Sequence, residues 1–310
     1  MSRTQKGILL SILTPVLWGL MTIPIRSLNA YGIGGQDLAF FRCAVSGIGL
    51  FVFNYFVDRS VLRIDLKGLL LCFCYGCFSY GISFTAYALA VKRIPVAVAM
   101  VLMFLCPVWV SLLNRIVFKE RLRAVNCVSI VICLIGAVLV SDVLNVQSAG
   151  MDVLGIICAL VNGLGAGLQL IIPRYFEGEY KKNTFVVYGF LGSACMLAFF
   201  TNFGIVGDAV SLDAGNVLGN LIFLCVICTL IANYVFVIAS SYISSTLVSI
   251  ISALEVVVGS MVGLIIYKET MSTAQAAGAV IIVVGALLPN LMPLIGGTKD
   301  DGQQNGNGKK

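Results

Sequence analysis

The chain has 310 residues, 59% of them hydrophobic and 11% charged, with a mean hydropathy of +1.02. A soluble domain carries about 25% charged residues, so this composition cannot cover a water-facing surface, and the net charge of +6 is no argument for nucleic-acid binding. Histidine is absent, which removes imidazole metal sites and His-based acid–base catalysis.

A spanning helix needs about 20 apolar residues. Apolar runs separated by charged or Gly/Asn-rich turns predict spans near 7–28, 37–57, 68–91, 95–117, 124–141, 152–173, 183–204, 216–239, 244–267 and 274–295. The expected fold is therefore an all-α integral membrane protein of ten transmembrane helices. The first run has many equals downstream and reads as a span, not a cleaved signal. The third and fourth spans are divided only by Lys92-Arg93-Ile94-Pro95. Residues 296–310 are polar and Gly-rich and are expected to form a disordered cytoplasmic tail.

With the N-terminus in the cytoplasm, fifteen of the 20 Lys and Arg residues fall on the cytoplasmic side and four on the other, with Arg42 inside a span. This asymmetry predicts cytoplasmic termini and an even number of spans. The expected setting is a bacterial plasma membrane.

The chain compares with itself at an offset of about 149 residues. Phe118-Lys119-Glu120-Arg121-Leu122 meets Tyr267-Lys268-Glu269-Thr270-Met271, and Gly136-Ala137 meets Gly285-Ala286. Near the starts of the halves Gly7 meets Gly155 and Gly19 meets Gly167. The expected units are 1–142 and 152–295, with five spans each. An odd number of spans reverses the second unit in the membrane, which gives an inverted repeat.

An ionisable side chain in mid-membrane is costly and is a functional candidate by default. Glu255 lies near the middle of the ninth span, with Ser252 and Gly259 one turn away on either side. It reads either as a carrier of protons coupled to substrate movement or as a structural partner. Arg42 lies about one and a half turns into the second span. It reads either as snorkelling to the headgroups or as binding a substrate carboxylate.

Asn162 and Gln169 share a face of the sixth span, around Gly163, Gly165 and Gly167. They read as amides lining a site or as interhelical packing, and Gly165 and Gly167 as points of bending. Tyr80 and Tyr87 share a face of the third span, beside Ser83. Asn233 and Tyr234 in the eighth span form a weaker case of the same kind. Prolines 15, 24 and 107 fall inside spans, and Pro107 is the best hinge candidate. Gly259-x-x-x-Gly263 is a potential close-packing face, within one chain or in a homodimer. The cysteines, Cys225-x-x-Cys228 included, sit in apolar runs and read as small hydrophobes, so no metal site or cofactor is expected.

Several of these residues resemble the EamA-type branch of the drug/metabolite transporter superfamily. Trp18-Gly19 is similar to the family's Trp-Gly, which adds Trp18 to the site candidates. Phe41-Arg42 resembles its aromatic-Arg start, and Thr85-Ala86-Tyr87-Ala88-Leu89 with Pro95 and Pro107 its next block. Leu254-Glu255 resembles its Leu-Glu-Pro stretch, and Lys268-Glu269 the Gly-Glu turn after it. That stretch is split here: Leu105-Cys106-Pro107 keeps the proline and Leu254-Glu255-Val256 the acid. The resemblance implies ten spans and small-metabolite transport, usually export, often of amino acids or related compounds. Lipophilic cations and nucleotide sugars are the alternative substrates. The chain has no phosphate-binding P-loop, so the drive falls to an ion gradient, with protons as the candidate coupling ion. A membrane-embedded enzyme or a channel is the competing class, and the expected state is a monomer or homodimer in lipid.

Overall fold

The computed structural model describes residues 3–141 and 152–295; the expected tail at 296–310 lies outside them. The described chain is helical: α1 (Arg3–Gly19 and Thr22–Ala30), α2 (Gly35–Val57), α3 (Leu66–Arg93), α4 (Val96–Met103 and Cys106–Phe118), α5 (Ala124–Val140), α6 (Val153–Tyr175), α7 (Lys182–Ala198), α8 (Phe203–Leu212), α9 (Ala214–Ala239), α10 (Ser245–Ser252 and Leu254–Ile266) and α11 (Thr273–Ile295).

Among the described residues seven helices are long and apolar enough to cross a membrane, and α7 with α8 makes an eighth if the bent pair is one span. The apolar helices Ala124–Val140 and Thr273–Pro289 are shorter. Exposed side chains along these helices are large and apolar, among them Leu9, Ile48, Phe56, Leu70, Ile116, Ile157 and Val280, as lipid demands. The protein is a multi-pass helical membrane protein.

The expected seventh span, 183–204, ends earlier than its hydropathy suggests. The chain turns by 95° between α7 and α8. Asn202 caps α8 by accepting from Gly204 N and Ile205 N, and its own N–H donates to the buried Asp37 Oδ1 at 2.8 Å.

Three of the helices are interrupted. In α1 the break at Leu20–Met21 lies one turn before Pro24, whose ring nitrogen cannot donate to Leu20 O; Ile23 N donates there instead at 3.1 Å. In α4 the break at Phe104–Leu105 precedes Pro107 for the same reason. In α10 a break falls at Ala253 with no proline beside it. A break therefore occurs in both halves, with the proline in one and without it in the other. Two helices also contain a widened π-helical stretch, Cys77–Ile82 in α3 and Phe223–Ile231 in α9.

Glycines set the tightest helix crossings. A methyl on Gly136 of α5 would lie 2.6 Å from Ile282 Cγ1 of α11, and one on Gly285 of α11 would lie 2.7 Å from Cys133 Sγ of α5. Cys133 Sγ itself faces Ile282 O at 3.8 Å, and these two residues are 149 apart. The same pairing recurs elsewhere: Gly7 packs on Tyr242 and Ile243, Gly155 on Arg93 and Ile94. Gly19 packs on Val258, and Gly167 on Trp109 and Val110. Each second contact is the first displaced by 148 or 149 residues with the two helices exchanging roles.

Within the chain the Gly259-x-x-x-Gly263 pattern does not form a helix-packing face. A methyl on Gly259 would meet only Thr22 Oγ1, at 3.8 Å, and Gly263 faces the Glu269 carboxylate.

Candidate functional site

Arg42 sits among helices from both halves of the chain. Its Nε donates to Thr229 Oγ1 of α9 at 3.0 Å, and its guanidinium lies 4.6 Å from the centre of the Phe84 ring of α3. Thr229 belongs to one π-helical stretch and Phe84 follows the other directly. Thr229 in turn donates to Leu224 O at 2.8 Å, five residues back, an alignment that the widened turn creates. π-Bulges concentrate at functional positions because they re-aim side chains. Here they hold a cation over an aromatic face, an arrangement that is stabilising once water is excluded. Among the described residues no protein acceptor meets the two Nη groups of Arg42.

Glu255 occupies the first turn of the second segment of α10, just past the Ala253 break. The positive end of a helix dipole favours a carboxylate there. Its carboxylate makes no hydrogen bond or ion pair within the described residues. It is not in contact with Arg42, but the two charges act on one another across the bundle, and Glu255 also acts on Tyr87 and Cys106. Cys106 holds the matching place in α4, first in the segment past the other break. The centre thus contains one guanidinium and one carboxyl group, the Nη groups of the first and the oxygens of the second unclaimed by protein among the described residues.

The other candidates divide. Tyr87 belongs with Glu255. Tyr80 is fully buried elsewhere, its hydroxyl 3.3 Å from that of Tyr75 and its ring 4.3 Å from Phe190. Tyr80 lies within the π-helical stretch and Tyr87 beyond it, so the two do not keep the register that regular helical spacing implies.

Asn162 and Gln169 do share a face, and both turn it toward α3. Asn162 Nδ2 donates to Ser83 O and Ser83 Oγ at 3.0 Å each, and Gln169 Nε2 to Ser79 O at 3.0 Å. They satisfy carbonyls at and just beyond the π-helical stretch, the interhelical packing alternative. Asn162 Oδ1 keeps no partner.

Gly165 and Gly167 lie within an unbroken α6, packed on Ser83 and on Trp109 with Val110. Trp18 packs on Phe236, with ring centres 5.0 Å apart. Asn233 Nδ2 donates to Thr229 O at 2.8 Å and so supports the residue that holds Arg42. Tyr234 turns away toward Phe53. Ser252 Oγ donates to Ser249 O at 2.7 Å, immediately before the α10 break. Thr229 and Phe84 carry no charge or repeat signal and are found only by contact with Arg42.

Membrane-crossing helices around a half-buried arginine and a half-buried glutamate, neither with an ion-pair partner, fit a membrane transporter. The comparisons place it further. The EamA-like transporter family profile matches twice, over residues 5–142 and 153–291. The chain belongs to the EamA-like transporter family of the drug/metabolite transporter superfamily. It is similar to an uncharacterized transporter of Archaeoglobus fulgidus, 25% identical over 285 residues, 89% of this chain and 93% of that one. A second such transporter of the same organism is 22% identical over 283 residues, 91% and 97% of the two chains. A crystal structure of 18% identity superposes with a TM-score of 0.76, over 94% of this chain and 98% of the other.

Proposed function

We propose that the protein is a secondary active exporter of small zwitterionic metabolites, amino acids or close analogues, coupled to protons through Glu255. The observation that carries this reading is the central pair: Arg42 and Glu255 each present an unclaimed charged end to the same region. A zwitterion offers a carboxylate to the first and an ammonium to the second. Neither charge would persist in lipid without a partner or water, since each costs at least ~2.5 kcal/mol at mid-membrane. Export is the direction the family resemblance implies, and the lysine and arginine asymmetry supports a plasma-membrane protein with both termini in the cytoplasm.

Ten spans in two inverted units of five are the architecture we propose for the cycle. The displaced glycine contacts, the paired breaks in α4 and α10, the paired π-helical stretches in α3 and α9 and the double family match all support it. Two such units around one site exchange conformations to open it to either side. The breaks at Phe104–Leu105 and Ala253, beside Pro107 and Glu255, are the bending points.

The test is reconstitution into proteoliposomes with a panel of amino acids, organic cations and sugars, with and without a pH gradient. Arg42→Gln should raise the KM for substrates that carry a carboxylate. Glu255→Gln should abolish gradient-driven accumulation while sparing exchange at equal pH. Gradient-driven uptake by Glu255→Gln at the parent rate would remove the proton role, and uptake confined to substrates lacking a carboxylate would remove the zwitterion.

A further inference from the structure

The two ends of the helix bundle each carry an arginine–glutamate pair, and the pairs correspond residue by residue. At one end Arg174 of α6 reaches Glu120, just past α4: Nη2 donates to Oε1 at 2.5 Å and Nη1 to Oε2 at 3.2 Å. The guanidinium lies 4.3 Å from the centre of the Phe118 ring. At the other end Arg26 of α1 donates through Nη1 to Glu269 Oε1 at 2.5 Å, just past α10, and lies 4.5 Å from the centre of the Tyr267 ring.

Each glutamate follows a lysine in the left-handed region, Lys119 at φ 55° and Lys268 at φ 53°. Each backbone N–H then folds back onto its helix, Glu120 N to Asn114 O at 3.3 Å and Glu269 N to Gly263 O at 3.1 Å. A left-handed lysine is uncommon, and among the described residues these are the two non-glycine positions that adopt it. The turn exists in both places to aim a glutamate at the facing arginine.

The correspondence fails at one position. Asn114 is buried; its Oδ1 accepts from Arg174 Nη1, and its Nδ2 donates to Ser245 Oγ and Thr246 Oγ1 at the start of α10, all at 3.0 Å. Its counterpart is Gly263, which has no side chain. The Glu120 end is therefore held by a bidentate pair and an asparagine clamp. The Glu269 end has one ion-pair bond, between side chains that are 45% and 50% exposed, and a long bond from the Tyr267 hydroxyl to Ile23 O at 3.4 Å, with no buried side chain in the place of Asn114.

Exposed ion pairs contribute little to folding, and the glycine crossings already fix these helices. A small contribution is nevertheless enough to tip two conformations of similar energy.

We infer that Glu120–Arg174 and Glu269–Arg26 are the two gates of the transport cycle, opening in alternation, and that Asn114 biases the resting protein toward opening at the Glu269 end. The inference rests on the alternating-access reading above.

Cys106, which holds in α4 the place that Glu255 holds in α10, is a native reporter of which end is open. In sealed vesicles a charged, membrane-impermeant thiol reagent is added to one face at a time, and its occupancy of Cys106 is read by peptide mass spectrometry. The parent protein should label faster from the Glu269 face. Asn114→Ala and Glu120→Gln should each raise labelling from the Glu120 face about fivefold and lower it from the other. Glu269→Gln should do the reverse, and the exchanged pair Glu120→Arg with Arg174→Glu, which restores the ion pair but not the bond to Asn114, should return labelling from the Glu120→Gln level part of the way toward the parent pattern. Shifts of the same sign in Glu120→Gln and Glu269→Gln, or no labelling from either face, overturn the inference. Equal labelling of the parent from both faces at once instead overturns alternating access itself. A second measurement does not depend on labelling: oxidising the cysteine pair Glu120→Cys with Arg174→Cys should stop transport until reductant is added, and a cross-link that leaves transport intact removes the gate.

Discussion

Gly278→Ala adds one methyl at the crossing of α5 and α11, and the structure determines what it meets. The new Cβ would lie 2.7 Å from Gly136 O, 2.7 Å from Leu139 Cβ and 2.8 Å from Val140 N. Two of these three are backbone atoms, so no rotamer change relieves the contact and the helices must separate. Overpacking of this kind costs about 1–3 kcal/mol, and rigid neighbours place it near the top of that range. Replacing a helical glycine by alanine returns about 1 kcal/mol of propensity. The net expectation is a loss of about 2 kcal/mol, read as a lower thermal unfolding temperature in detergent. Gly207→Ala is the control: it lies in α8 with nothing within 4 Å of the new methyl, and it should stabilise by about 0.4–1 kcal/mol. If Gly278→Ala unfolds at or above the parent temperature, the close α5–α11 crossing is wrong.

Arg42→Lys keeps the charge but loses both the planar stack on Phe84 and the bond to Thr229, so transport assays should show it closer to Arg42→Gln than to the parent. Thr229→Val removes the same bond from the other side together with the buried bond to Leu224 O, and should raise KM and lower the unfolding temperature. Asn162→Ala strips the donor from Ser83 O inside the bundle and should cost about 1–3 kcal/mol in detergent unfolding. At the Glu120 end, the Lys181 ammonium and then the Ser60 hydroxyl hold the Asp58 carboxyl down at about 2, from an ordinary 3.8. A depressed carboxylate contributes above its ordinary range and loses that contribution as pH falls from about 4 toward 2. Carbon-13 NMR of Asp58 should therefore show a midpoint near 2 in the parent and a higher one, still below the ordinary value because the Ser60 bonds remain, in Lys181→Ala.

Hydropathy and charge asymmetry made the membrane class legible, and the Lys119-Glu120 and Lys268-Glu269 match pointed to the repeat. Both signals depend on composition averaged over a span or on residues rare in lipid. What stayed hidden is local. Nothing in Leu254-Glu255-Val256 marks a helix break, because the break at Ala253 has no proline beside it. The π-helical stretches change which residues face which neighbour, so the regular spacing from Tyr80 to Tyr87 misled while that from Asn162 to Gln169 held. Arg42 and Glu255 were legible as charges in lipid. Thr229 and Phe84, which hold Arg42, are an ordinary hydroxyl and an ordinary ring until the fold brings them together. The asymmetry between Asn114 and Gly263 was invisible until the turns around them could be superposed.

Everything in the proposed cycle depends on the two halves running in opposite directions around Arg42 and Glu255. Single cysteines placed at Lys119 and at Lys268, labelled in sealed vesicles with an impermeant reagent, test this most directly. The account predicts that the two react from opposite faces of the membrane. Reaction of both from one face would contradict it.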